Sequence, residues 1–164
     1  MTAQIPETLR FKGQNYAMCT EPLGFAIRSL KLPGEITSPH TACWRGYVGK
    51  WAVEEDALYL KDISFTIKEV VNGEFRYRDV DYAEAYPDAP DGVFAHWFTG
   101  EIRCPIGKRL KYVHMGYAST HEADLFLDFV KGRLVGQRTV VNGKAEDDLQ
   151  PDGYGVGGLS SRLE

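Results

Sequence analysis

Thr41 to Trp51 reads TACWRGYVGKW, and Ala57 to Ile67 reads ALYLKDISFTI. The second stretch carries the Leu, Ile, Phe and Tyr content of a sheet strand, and Glu55-Asp56 lies where a tight turn would join the two. A hairpin with strands over about 43–54 and 57–67 is therefore expected. On alternation, Cys43, Arg45, Tyr47, Gly49, Trp51 and Val53 share one face of the first strand. Trp44, Gly46, Val48, Lys50, Ala52 and Glu54 share the other. Large rings on both faces imply cover on both. Gly46 and Gly49 are expected to make room for neighbouring rings or to mark a bulge.

The same rhythm extends outward. LRFK and NYAMC flank Gly13 as a short hairpin. Thr20, Glu21 and Pro22 precede Leu23, Ala26, Ile27 and Leu30 at helical spacing, which predicts one short helix over about 21–30. From Asn72 to Gly92 the periodicity is poor and turn residues are frequent, giving one more strand and then a long surface loop that is acidic from Asp79 to Asp91. Sheet pattern returns in VFAHWFTGEIRCPIG, KRLKYVHMGY, EADLFLDFVKG and RLVGQRTVVNG. Eight or nine short strands with one helix near the N-terminus predict a mainly β fold, a curved antiparallel sheet that is barrel-like or a two-layer sandwich.

A length of 164 residues suits one core. The unit is expected to span 1–142, followed by an acidic, Gly-rich and flexible tail over 143–164, whose final Leu163-Glu164 reads as a cloning scar. The net charge of −4 forms no basic stripe, so no nucleic-acid partner is expected. There is no membrane-length apolar run and no signal layout, which points to a cytoplasmic chain without a membrane partner. The open edges of such a sheet would allow a homodimer.

The chemistry-bearing motifs are sparse. Cys19, Cys43 and Cys104 are odd in number and widely spaced, as reduced thiols are. His96, Cys104, His114 and His121 lack metal-ligand spacing, so no metal is expected, and the absence of nucleotide and nicotinamide fingerprints leaves no cofactor. Cys43 with His40 or His114 is the one nucleophile and base pairing in view, and Glu122 with Asp124 share a strand face as an acid pair.

What remains is an aromatic and arginine set typical of binding surfaces: Trp44, Arg45, Tyr47, Trp51, Trp97, His114 and Tyr117. The leading expectation is a non-catalytic module that holds a small ligand or a protein segment on them. One rival is an enzyme whose Arg45, His96, His114, His121 and Glu122 converge inside a barrel. Another is an antitoxin-like or immunity-like factor whose acidic loop meets a basic partner. Over about residues 40–140 the chain resembles small uncharacterised bacterial proteins with CWRGY, W-F-x-G and HMGY segments. That resemblance implies a bacterial cytoplasmic setting and carries no known activity.

Overall fold

The computed structural model describes residues 3–111, 117 and 119–143. Its first hairpin pairs β1 (Glu7–Phe11) with β2 (Gln14–Met18) through Lys12 and Gly13, both at positive φ. This is the mirror-image turn whose twist suits a hairpin. The decisive stretch then supplies β4 (Tyr47–Glu54) and β5 (Ala57–Val71), after a two-residue β3 (Glu35–Ile36). Glu55 and Asp56 make the same kind of turn with φ of 51° and 59°.

The first strand begins four residues later than its sequence suggests. Cys43 to Gly46 form a turn, with the Cys43 amide donating to His40 O and the Gly46 amide to Cys43 O. Trp44 is therefore not a sheet residue. Its ring is 47% exposed, and its backbone N–H donates to Gln4 Oε1 at 2.8 Å. The puzzle of large rings on two strand faces disappears, because only Tyr47 and Trp51 belong to β4, and they share the buried face.

β5 is the spine. It carries β4 and β3 along one edge. Along the other it carries β10 (Arg133–Val141), β7 (Val93–Phe94) and β6 (Glu74–Asp81). Lys50 pairs with Asp62 while Trp51 pairs with Leu60, so Lys61 is the extra residue of a bulge. Across it the inward side switches from Leu58 and Leu60 to Ile63, Phe65 and Ile67, all buried. β8 (Gly100–Lys111) and β9 (Thr120–Val130) complete a sheet of order β2-β1-β4-β5-β10-β9-β8. β8 runs on through Pro105, which an end strand tolerates, and slips register after Ile106.

The fold is thus mainly β in one large, curved, mostly antiparallel sheet; β1 against β4 is a parallel pair. It does not close into a barrel. Among the described residues the end strands β2 and β8 are joined not by a ladder but by the two residues after β2: the Cys19 N–H donates to Arg103 O at 2.8 Å, and Thr20 Oγ1 accepts from the Arg103 N–H and donates to Glu101 O, each at 3.2 Å. β10 touches β5 only at Arg133 and Ala57. The short helical segment near the N-terminus takes the form of two 3-10 turns, Pro22–Phe25 and Ile27–Ser29. Ala26, at φ −123° and ψ 4°, lies outside helical geometry and separates what would have been one helix into two turns.

The loop from Asp79 is more ordered than its composition predicts. Asp81 caps a one-turn helix, α1 (Tyr82–Ala85), by accepting from the Glu84 amide, and Arg78 holds Glu69 and Glu84. Several acids expected to face a partner are therefore occupied locally. The tail over 144–164 lies outside the described residues. No helix among those described is long and apolar enough to cross a membrane.

Candidate functional site

Burying Arg45 requires a partner for its charge, and β1 supplies it. Glu7, Leu9 and Phe11 alternate onto the inward face of β1, so Glu7 enters the core with zero exposure. Its Oε2 accepts from Arg45 Nε at 3.0 Å, and its Oε1 from Trp51 Nε1 at 2.6 Å. Arg45 also donates from Nη2 to Ile5 O at 2.8 Å, and its guanidinium lies 5.5 Å from the centre of the Tyr47 ring. Gly49 is the void that admits this arrangement: a methyl group there would lie 3.0 Å from both Glu7 Oε1 and Trp51 Nε1.

A second carboxylate extends the chain of charges. Glu21, just before the first 3-10 turn, places Oε2 3.7 Å from Arg45 Nη1 and accepts from the Tyr117 hydroxyl at 2.5 Å. The order is Trp51, Glu7, Arg45, Glu21, Tyr117, running from the core to the seam between β2 and β8. Arg45 Nη1 is buried without a hydrogen-bond partner.

Burial pushes the Glu7 carboxyl above its ordinary value of 4.5, and the Trp51 hydrogen bond and Arg45 offset part of that rise. Burial alone would pull Arg45 down, but Glu7, the Tyr117 oxygen and Glu21 outweigh it and leave the guanidinium raised. Tyr117 is raised by burial and by its bond to Glu21, and Tyr47 by burial next to Glu7 and Glu21. Both phenols therefore stay protonated at neutral pH, as hydrogen-bond donors.

Tyr117 forms part of the wall of a pocket of about 400 Å³ at the seam, together with Cys19, Ser119 and His121. Behind that wall Arg103 ties the strands together, donating to Asp124 Oδ1 (3.1 Å), Tyr117 O and Ser119 O (each 3.0 Å). Asn142 donates to the other Asp124 oxygen and to His121 O. The His121 Nδ1 atom is buried and has no hydrogen-bond partner. Burial, with Arg103 and Arg109 nearby, keeps this imidazole below its ordinary value despite Asp124, and hence neutral at pH 7. Burial likewise raises the Cys19 thiol, and Cys104 rises to about 12.

Of the residues expected from sequence, the structure brings Arg45, Tyr47, Trp51 and Tyr117 together. Trp97 lies elsewhere, its indole N–H donating to Pro22 O at 2.8 Å. Trp44 stays on the surface, and His114 lies outside the described residues. The convergence that the rival enzyme reading needs does not form among the described histidines: His96 packs edge-on against Trp97 while His121 sits at the seam. Among the described residues no group of three or more potential ligands could hold a metal. The Cys43 thiol points to Tyr47 O and not to His40, whose Nδ1 accepts from the Ala42 amide. Glu122 and Asp124 are not a free acid pair, since Glu122 accepts from the Lys108 amide and Asp124 holds Arg103.

Sequence reasoning missed Glu7 and Glu21. Glu7 had a signal, because E-x-L-x-F puts it on the apolar face of its strand. Glu21 had none, since its approach to Arg45 depends on how the 3-10 turn crosses the seam.

No family model, curated protein or solved structure matches this chain. Function must be argued from the site itself.

Proposed function

We propose that the chain is a non-catalytic binding module that holds a small polar molecule in the seam pocket against Tyr117 and His121. The observation that carries this reading is the hydrogen-bonded line that runs out from the core to Tyr117, in the wall of a pocket also lined by His121, whose buried Nδ1 lacks a partner. An unsatisfied buried polar atom costs about 1–3 kcal/mol, which a bound donor would recover by drawing the His121 ring round so that Nδ1 faces the pocket. The direction of the shifts favours binding over chemistry: the Cys19 thiol and the Tyr117 phenol are held protonated, the opposite of an activated nucleophile or base. A pocket of this size takes a metabolite and not a folded partner.

Thermal-shift screening of the purified chain against small polar metabolites tests the reading. A true ligand at a hundredfold excess over its Kd adds about 2.7 kcal/mol, or roughly 5–10 °C for a chain of this size. The same compound is expected to lose most of that shift on His121→Ala and part of it on Tyr117→Phe. Hits that shift both variants as much as wild type would place the ligand elsewhere and reject the seam pocket.

A further inference from the structure

A second cleft, of about 780 Å³, opens away from the seam between the 3-10 turns and the strand-poor stretch around β7. Its walls are rings. Phe25 stands on the lip with 72% of its surface exposed, an unusual position for a phenylalanine, and its ring lies 6.0 Å from that of Phe98. Trp97 is fixed by its indole bond to Pro22 O, and His96 braces it at 5.5 Å and 82°. Tyr86 closes the far side beside Tyr82.

The Trp97 indole and the Ser29 hydroxyl of this cleft are spent on Pro22 O and Ala26 O, but three other polar groups are not. Among the described residues, the Arg28 guanidinium, the Tyr86 hydroxyl and the His96 ring nitrogens have no hydrogen-bond partner, although the chain carries more acids than bases. Burial pushes the Tyr86 phenol up to about 12, so it is a donor at neutral pH. Aromatic side chains, of which Trp97 is held by its indole bond, with one unpaired guanidinium and one phenol donor match a flat ring bearing a carboxylate: the ring lies against Phe25 and Trp97, and the guanidinium fork takes both carboxylate oxygens.

We infer that this cleft is a binding site for small aromatic carboxylates, with Phe25 and Trp97 as ring platforms and Arg28 as the anion anchor. The site shares no wall residue with the seam pocket, so either can fail without the other.

Proton–nitrogen NMR titration with 2-naphthoate and indole-3-carboxylate reads it directly. The Trp97 indole N–H resonance, assigned from a Trp97→Phe spectrum, is expected to move saturably while that of buried Trp51 stays still. Arg28→Ala, and separately the neutral amide 2-naphthamide, are expected to weaken binding about tenfold or more, the scale of a lost charge-assisted pair. Phe25→Ala is expected to weaken every aromatic probe, and cyclohexanecarboxylate is expected to leave Trp97 unmoved. Both substitutions fall on exposed side chains, so an unchanged spectrum elsewhere verifies the fold. The assignment is overturned if Trp97 does not respond, if Arg28→Ala binds as tightly as wild type, or if the amide equals the acid. A response to Trp-containing peptides alone would make the cleft a protein-docking groove and overturn it as well.

Discussion

Arg45→Ala is expected to lower the unfolding free energy by about 3–5 kcal/mol at pH 8, the usual cost of leaving one member of a buried pair without its partner. For a chain of this length that corresponds to a fall in Tm of roughly 6–20 °C. The reason is positional. Glu7 has no exposure, the Arg45 side chain has 8%, and neither can turn to water without unthreading β1 from the sheet. Trp51 Nε1 would still hold one oxygen of Glu7, but the other would face a vacated volume.

The pH dependence of this loss gives the sharper test. Glu7 already titrates above 4.5 in the folded state, and Arg45 is one of the influences holding it down. Removing Arg45 raises it further. A folded value above the unfolded one means that the folded state binds the extra proton, so stability is retained at low pH and lost as pH rises through the folded value. Urea titrations of Arg45→Ala are therefore expected to show a deficit that is large at pH 8 and shrinks towards pH 5. The double variant Glu7→Leu/Arg45→Leu should regain part of the loss at pH 8 and show no such pH dependence, because removing both charges is close to neutral while the Trp51 indole N–H, left without its acceptor, still costs about 1–3 kcal/mol. A deficit below about 1 kcal/mol, or one independent of pH, would show that the pair is not desolvated as the geometry requires.

The hairpin over β4 and β5 is legible because its turn and its apolar alternation agree. The bulge expected at Gly46 or Gly49 falls instead at Lys61 on the partner strand, where it did leave a signal: apolar positions fall at 58 and 60, then at 63, 65 and 67, and a gap of three in a period of two marks an inserted residue. By contrast, nothing in CWRGY says that its first four residues form a turn, since Cys, Trp and Arg all suit a strand. What decides it is tertiary: Gly46 takes φ +79° and its carbonyl accepts from the Thr66 amide, starting the ladder one residue before Tyr47. The seam is invisible for a similar reason. Whether β2 and β8 pair fully or meet at a few bonds from Cys19 and Thr20 depends on the curvature of the whole sheet, and only that curvature brings Glu21, Tyr117 and His121 to one place. Composition announced the aromatic cleft only in part, because Trp97 stood out while Phe25 and Arg28 belonged to an expected helix.

Gly46→Ala should be the most damaging single methyl addition in the chain's central motif. A Cβ at this position would lie 2.5 Å from Ile36 Cγ2 and 2.6 Å from Thr37 O, and the second of these is backbone that cannot swing aside. The left-handed conformation adds about 1–2 kcal/mol for any residue with a Cβ, and the overlap adds a further 1–3 kcal/mol of forced displacement. Gly13→Ala isolates the two contributions. Gly13 has the same φ of +79° but nothing within 4 Å of its would-be Cβ, so it is expected to show the conformational cost alone. Chemical denaturation should therefore rank Gly46→Ala about 1–3 kcal/mol below Gly13→Ala. The extra loss in Gly46→Ala should come with weakened amide protection at Thr66 and Thr37, whose N–H groups donate to Gly46 O and Thr66 O at 2.8 and 2.9 Å. Equal losses in the two variants would mean that β3 yields freely at Thr37. In that case the CWRGY turn would not be clamped between β3 and β5, and Arg45 would owe its position to its own side-chain partners, Glu7, Ile5 O and Glu21.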